Sequence, residues 1–150
     1  MNTDQILALE FLRDPRPRPI TSNPLAQALN STLLELDIGA GSAVLAFDPP
    51  ADFVQGQGAL QGGIVAAMLD FAMAFAVLPK LAPDAFLSTA SLNVNFIAAA
   101  PPGKYLARGR IDRLGGRLIF AAGEMHRDDD KKLIATATAV MVHGVREPRS

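Results

Sequence analysis

Asp70 is the one charged side chain in a run of fifteen residues, Ile64 to Leu78, otherwise composed of Ala, Val, Ile, Leu, Met and Phe. Removing a carboxylate from water without a partner costs several kcal/mol. Asp70 must therefore face a polar cavity or another chain, which makes it a candidate reactive group. Just before the run stands Gln61-Gly62-Gly63. At a helix start the first backbone N–H groups have no intrahelical acceptor and the dipole is positive. Glycines at such an end let an oxyanion come close. A donor that polarises a carbonyl, and a carboxylate that attacks the acyl carbon or takes a proton from water, are the two parts of an acyl transfer. Plainer roles exist for both: the glycines can serve a tight turn, and Asp70 can be a structural acid bonded to backbone, Thr or Asn.

The spacing of these residues adds a constraint. Gly62 and Asp70 are eight residues apart, about 12 Å along a helix rising 1.5 Å per residue. That is too far for both to touch one carbonyl group. If they act together they come from two chains, which predicts a homodimer with two shared sites.

The elements that must position these groups follow from the surrounding chain. Ala, Leu and Met dominate the run, two glycines precede it and Pro79 ends it, so it reads as a helix. Being apolar all round, it is a core helix rather than a membrane span, for which it is short, acid-bearing and without a basic flank. Upstream, Thr3 to Leu12 predicts a short helix and Asp14 to Pro19, with three prolines, an extended linker. Arg16 and Arg18 in that linker read as solvated. Asn23-Pro24 caps a second short helix. Leu33–Ile38 and Ser42–Phe47 form a hairpin around Gly39-Ala40-Gly41.

Downstream, Phe86 to Ile97 alternates, with Phe86, Ala90, Leu92, Val94 and Phe96 on one face and Thr89, Ser91, Asn93 and Asn95 on the other. Lys104–Arg113 and Arg117–Arg127 are joined across Gly115-Gly116. Leu133–His143, apolar or small on both faces, predicts a last strand covered by the helix on one side and by a second subunit or the N-terminal segment on the other. The sum is an α+β protein, one antiparallel sheet wrapped around one long helix. Residues 1–23 form an N-terminal helix and Pro-rich linker, and 24–150 a single domain.

With 49% hydrophobic and 19% charged residues, the chain has the composition of an ordinary globular domain. A net charge of -1, with charges scattered, gives no footprint for nucleic acid or an anionic membrane. Absence of Cys excludes disulfides, Cys-ligated zinc and thiol catalysis, and two histidines, His126 and His143, are too few for a His-rich metal site. Asp4 stands where a secretory signal would carry basic residues. A cytoplasmic protein is expected.

The stretch Gln55 to Val77 resembles the signature of the hotdog-fold acyl-CoA thioesterases, in particular their phenylacetate-degradation (PaaI-like) branch, and the resemblance extends from about Leu25 to Val142. In that family a His-Gly-Gly triplet opens the central helix and an acid follows nine residues after the His, as Asp70 follows Gln61. Leu92-Asn93-Val94-Asn95-Phe96 followed by Pro101-Pro102-Gly103 is also similar to the family's strand and turn. The resemblance implies that Gly62 is the oxyanion donor, with Gly63 beside it at the substrate, and that Asp70 is the catalytic carboxylate. It further implies that Gln55 and Thr89 orient the carboxylate or water. The product would be a carboxylate and free CoA, made by a homodimer or homotetramer without a metal or cofactor other than the CoA of the substrate.

Gln61 departs from the family's His. Its amide donates a hydrogen bond but does not change charge near neutral pH, so a mechanism needing an imidazolium is excluded and one needing a donor survives. Gln-Gly-Gly versions of the motif occur in the family. Lys104, Arg108, Arg110, Arg113 and Arg117 gather on one strand pair, and Arg113 and Arg117, flanking its turn, are candidates for the CoA phosphates or else a solvated tip. Two rivals stand beside the hydrolase: an acyl-CoA-binding protein without turnover, and a hydratase or dehydratase, for which no His lies near the helix.

Overall fold

The computed structural model describes residues 1–145. Helix α1 (Thr3–Arg13) is followed by β1 (Arg18–Pro19), α2 (Pro24–Ala28), β2 (Thr32–Asp37), β3 (Ser42–Phe47) and the long α3 (Gly62–Val77). A 3₁₀ turn, Leu78–Lys80, then leads to β4 (Ala85–Phe96), β5 (Tyr105–Leu114), β6 (Leu118–Arg127) and β7 (Leu133–Val145). All pairings are antiparallel and the sheet order is β1-β2-β3-β5-β6-β7-β4.

The predicted elements form where local chemistry favours them. Asn23 caps α2, its Oδ1 accepting from the N–H groups of Leu25 and Ala26 at 3.0 and 3.3 Å, with Pro24 in the first turn where a missing N–H is harmless. The linker is not wholly unpaired, because Arg18 and Pro19 pair with Leu33 and Thr32. A proline is tolerated there because β1 is an edge strand and needs no outward donor. Arg16 and Arg18 form surface ion pairs with Asp14 and Glu10 rather than standing free.

Helix α3 presses Val65, Met68, Leu69, Ala72, Met73 and Ala76 into the sheet, where Leu45, Ala107, Ile119, Met125 and Met141 receive them. The helix is not wrapped on every side. The stripe Ile64, Ala67, Asp70, Phe71 and Ala74 remains half-buried in a single chain. Contact with the sheet is closest at Gly109 on β5, where a Cβ would overlap the backbone of Ala72. Gly123, paired with Gly109, lies under Leu69 and Met73. Two adjacent strands thus supply no side chain at the point where the helix backbone crosses them.

Helix α1 packs its Leu7, Ala8 and Phe11 into the same core, as does Ile20 of the linker. Buried Gln5 fastens it, with Nε2 lying 3.2, 3.0 and 3.3 Å from the carbonyl oxygens of Leu78, Leu81 and Ala82. These carbonyls follow the end of α3, and that of Leu81 accepts no backbone bond among the described residues. The N-terminal segment therefore does not cover the outer face of β7. On that face Thr138 is exposed, Val140 and Val142 are half-buried, and neighbouring Phe120 of β6 is 41% exposed.

Candidate active site

Gln61 stands at the entrance of α3 with its side chain exposed and making no cap hydrogen bond. Its carbonyl accepts from Ile64 and Val65, and its N–H donates to Phe53, which leaves the N–H groups of Gly62 and Gly63 without an acceptor among the described residues. Two free donors at the positive end of a 16-residue helix suit a developing oxyanion. They open beside a cavity of about 380 Å³ lined by Gln55, Leu60, Gly62, Val65, Phe96 and Ile97 among others. The Phe96 ring lies against Gly62, 3.2 Å from where a Cβ would stand, so a side chain there would press on it.

Gln55 reaches this cavity from a loop that closes on itself. Its N–H donates to Ala59, its carbonyl accepts from Gly58, and its side-chain Oε1 accepts from the N–H of Gln57. Gly58 takes a positive φ of 86° at the turn. Gln55 and Gly62 thus line one cavity, and Asp70 of the same chain, whose carboxylate the resemblance has Gln55 orient, lines another.

Asp70 is half-buried rather than buried, on the open stripe of α3. Thr89 Oγ1 donates to its Oδ1 at 2.8 Å, and its other oxygen has no partner among the described residues. Strict alternation would put Thr89 on the outer face with Ser91, Asn93 and Asn95. The structure corrects this, because Thr89 pairs with Met141 and Ser91 with Val140, leaving Ala90 as an extra residue. That β-bulge reverses the alternation, turning Thr89 inward beside the fully buried Met141 and toward the helix, while Phe86 goes outward opposite Gly144. The bulge is what brings the hydroxyl to the carboxylate.

Around Asp70 lies a second cavity of about 320 Å³, walled by Phe71, Ala74, Phe75, Leu78 and Leu87 and reached by Asn2 and Asp4 of the N-terminal segment. Phe71 and Phe75 line it, whereas Met73 points into the sheet. Asn2 and Asp4 were not identified from the sequence. Asn2 is recognisable as a helix N-cap, its Oδ1 accepting from Gln5 N–H at 2.7 Å, but the docking of that helix depends on distant residues.

Arg113 and Arg117 flank the β5–β6 turn as expected, exposed and free of ion pairs among the described residues, and they line neither cavity. Arg108 and Arg110 are occupied by Glu35 and Asp112 at 3.6 and 3.1 Å. His143 ties down the same turn, Nε2 lying 2.8 Å from the carbonyl oxygen of Gly115. No three His, Asp or Glu side chains among the described residues gather as a metal site requires.

This geometry can be set beside known proteins. The thioesterase superfamily matches residues 57–134, just over half of the chain and including Gly62, Gly63 and Asp70. The fold is similar to that of a phenylacetic acid degradation-related protein of Ralstonia eutropha, with 32% identity, a TM-score of 0.78, and 90% of this chain and 98% of that one covered. It is also similar to a mutant of the phenylacetic acid degradation protein PaaI of Thermus thermophilus, at 25% identity and a TM-score of 0.70, covering 80% of this chain and 98% of that one. A Pseudomonas aeruginosa protein that bears an esterase name is 29% identical over 84 residues, 55% of this chain. The matched segment spans 61% of that relative's length. A sheet curled over one long helix, a glycine pair at its start and an acid on its open stripe fit these matches, and the chain belongs to the thioesterase superfamily, with its hotdog fold.

Proposed function

We propose that the protein is an acyl-CoA thioesterase, related to the PaaI-like branch, that hydrolyses its substrate to a carboxylate and free CoA. The observation that carries this reading is the 2.8 Å bond from Thr89 to Asp70, which aims a carboxylate into a cavity and leaves its second oxygen without a partner among the described residues. In the proposed reaction the thioester carbonyl accepts hydrogen bonds from the Gly62 and Gly63 end of α3, with Gln61 and Gln55 as nearby amides. Asp70 of the second chain takes a proton from water as the oxygen adds to the carbonyl carbon, or attacks that carbon itself to form an acyl anhydride that water then hydrolyses, giving its proton to the departed sulfur. Collapse of the tetrahedral oxyanion breaks the carbon–sulfur bond, and the sulfur leaves and takes up the proton. Arg113 and Arg117, exposed and without ion pairs among the described residues, are available for the phosphates of CoA. The test is a hydrolysis assay on short, long and aromatic acyl-CoAs, and no turnover on any of them defeats the reading.

Separation of the two half-sites into different cavities supports a site shared between two chains. Among the described residues the twelve-residue β4 pairs only with β7, and its other edge is one on which a second β4 can pair. Mixing Asp70→Asn with Gly62→Val subunits is expected to restore roughly a quarter of the wild-type rate, since half the dimers then carry one intact site of two. Full subunit exchange without recovery would rule out the shared site.

The binding-protein alternative turns on Gln61, whose exposed amide has no charge to contribute. Gln61→His is expected to keep hydrolysis within about tenfold of wild type, because donation of a hydrogen bond is all the proposed reaction asks of this position. An inactive wild type that gains turnover from this change would favour the binding protein.

A further inference from the structure

The cavity beside Asp70 has a direction. Asp70, Ala74 and Leu78 lie four residues apart on one stripe of α3 and its continuation, so the cavity follows the helix for about 12 Å. Strand β4 runs the opposite way along it, with Thr89 beside Asp70 and Leu87 toward Leu78. Between these ends the walls are mainly hydrocarbon, from Phe71, Ala74, Phe75 and Leu87, with Ser88 the polar residue among them. At the far end they become polar, where Asn2 and Asp4 bring the first turn of α1 across the groove.

That end is fixed in place. Asp4 accepts hydrogen bonds from the Ser22 hydroxyl and the Asn23 amide, and Asn2 caps α1. Gln5, 1% exposed, binds the helix to the carbonyls of Leu78, Leu81 and Ala82. None of these contacts touches Asp70 or Thr89. They hold α1 against the part of the molecule where the groove stops.

We infer that this groove binds the acyl group of the proposed substrate and that α1 is its end wall, restricting the enzyme to apolar acyl groups of medium length. The inference rests on the thioesterase reading. Each methylene that reaches the hydrocarbon wall improves binding roughly fourfold. Past Leu78 a further methylene meets a carboxylate and an amide already engaged with their own partners. The acyl group then stops, or α1 must leave its place and break the Gln5 bonds.

The experiment measures kcat/KM for acetyl-, butyryl-, hexanoyl-, octanoyl-, lauroyl- and palmitoyl-CoA with wild type, Ala74→Leu and Gln5→Ala, with a thermal melt on each. Wild type is expected to improve with length and then drop by about tenfold or more once the wall is met. Ala74→Leu fills the middle of the groove from a half-buried position, so its optimum is expected to shift to shorter acids. Gln5→Ala frees the wall and is expected to raise the longest substrates several-fold relative to the shortest. If Gln5→Ala does not fold, the Ala74→Leu profile decides. Length profiles parallel to wild type in the variants that fold overturn the end wall while the thioesterase reading stands. Hydrolysis of aromatic acyl-CoAs with none of this series overturns the end wall alone, and absence of hydrolysis by wild type on both overturns both.

Discussion

Asp70→Asn is expected to lower kcat for thioester hydrolysis by about 100- to 10,000-fold, the range that one general base or nucleophile contributes. The amide keeps the size of the carboxylate and can still accept from Thr89, so the fold has no reason to change. A thermal melt should move by no more than a few degrees. What disappears is the negative charge that takes the proton of water or attacks the acyl carbon. Thr89 acts through Asp70, so Thr89→Val should cost less, about tenfold, and Thr89→Ser, which keeps the hydroxyl, should restore most of it. Unchanged turnover in Asp70→Asn would remove the acid from the mechanism.

Gly109→Ala is expected to cost about 3 kcal/mol or more, lowering Tm by roughly 10 °C in a domain of this size. The added methyl has nowhere to go, since its neighbours are the carbonyl of Ala72 and the N–H of Met73, which are backbone and cannot rotate aside. Either α3 lifts from β5, opening the core along Met68, Ala72 and Met73, or the strand bends away. Gly109→Val, which is bulkier, should leave little soluble folded protein. Gly116→Ala is the control, because the turn it occupies has open space around the added carbon. Equal melting of Gly109→Ala and Gly116→Ala would mean that helix and strand do not meet at this glycine.

Much of this arrangement is legible in the sequence, for identifiable reasons. The central helix announces itself by composition, by the glycines before it and by Pro79 after it, and Asp70 is conspicuous because a charge in that setting needs a reason. The hairpins follow from glycine-bearing turns. Thr89 was recognised by its place in the family pattern but put on the wrong face, since a period of two carries no mark where a single extra residue, Ala90, enters the strand. Gly109 looks like any glycine between two arginines. Its meaning lies in Ala72, far away in the chain, and local pattern cannot reach it. The hold of Gln5 on the carbonyls after α3 is hidden for the same reason. Arg18-Pro19 is extended, as the prolines suggest, but its pairing with Leu33 and Thr32 depends on residues that the linker itself does not reveal.

The strand order also has a consequence in time. Strand β4 is made directly after the helix, yet its partner among the described strands is β7, with Phe96 opposite Ala135 and Ala85 opposite Val145. On a ribosome adding about 5–20 residues per second, β4 waits several seconds for the strand that holds it. Pairing over such sequence separations is slow, because the loop must close before any contact rewards it. Until Leu133–Val145 has emerged, Thr89 has no register and no bulge to turn it. The hydroxyl that steadies Asp70 is therefore among the last groups to find its place, and a nascent chain lacking β7 holds the acid without the means to aim it.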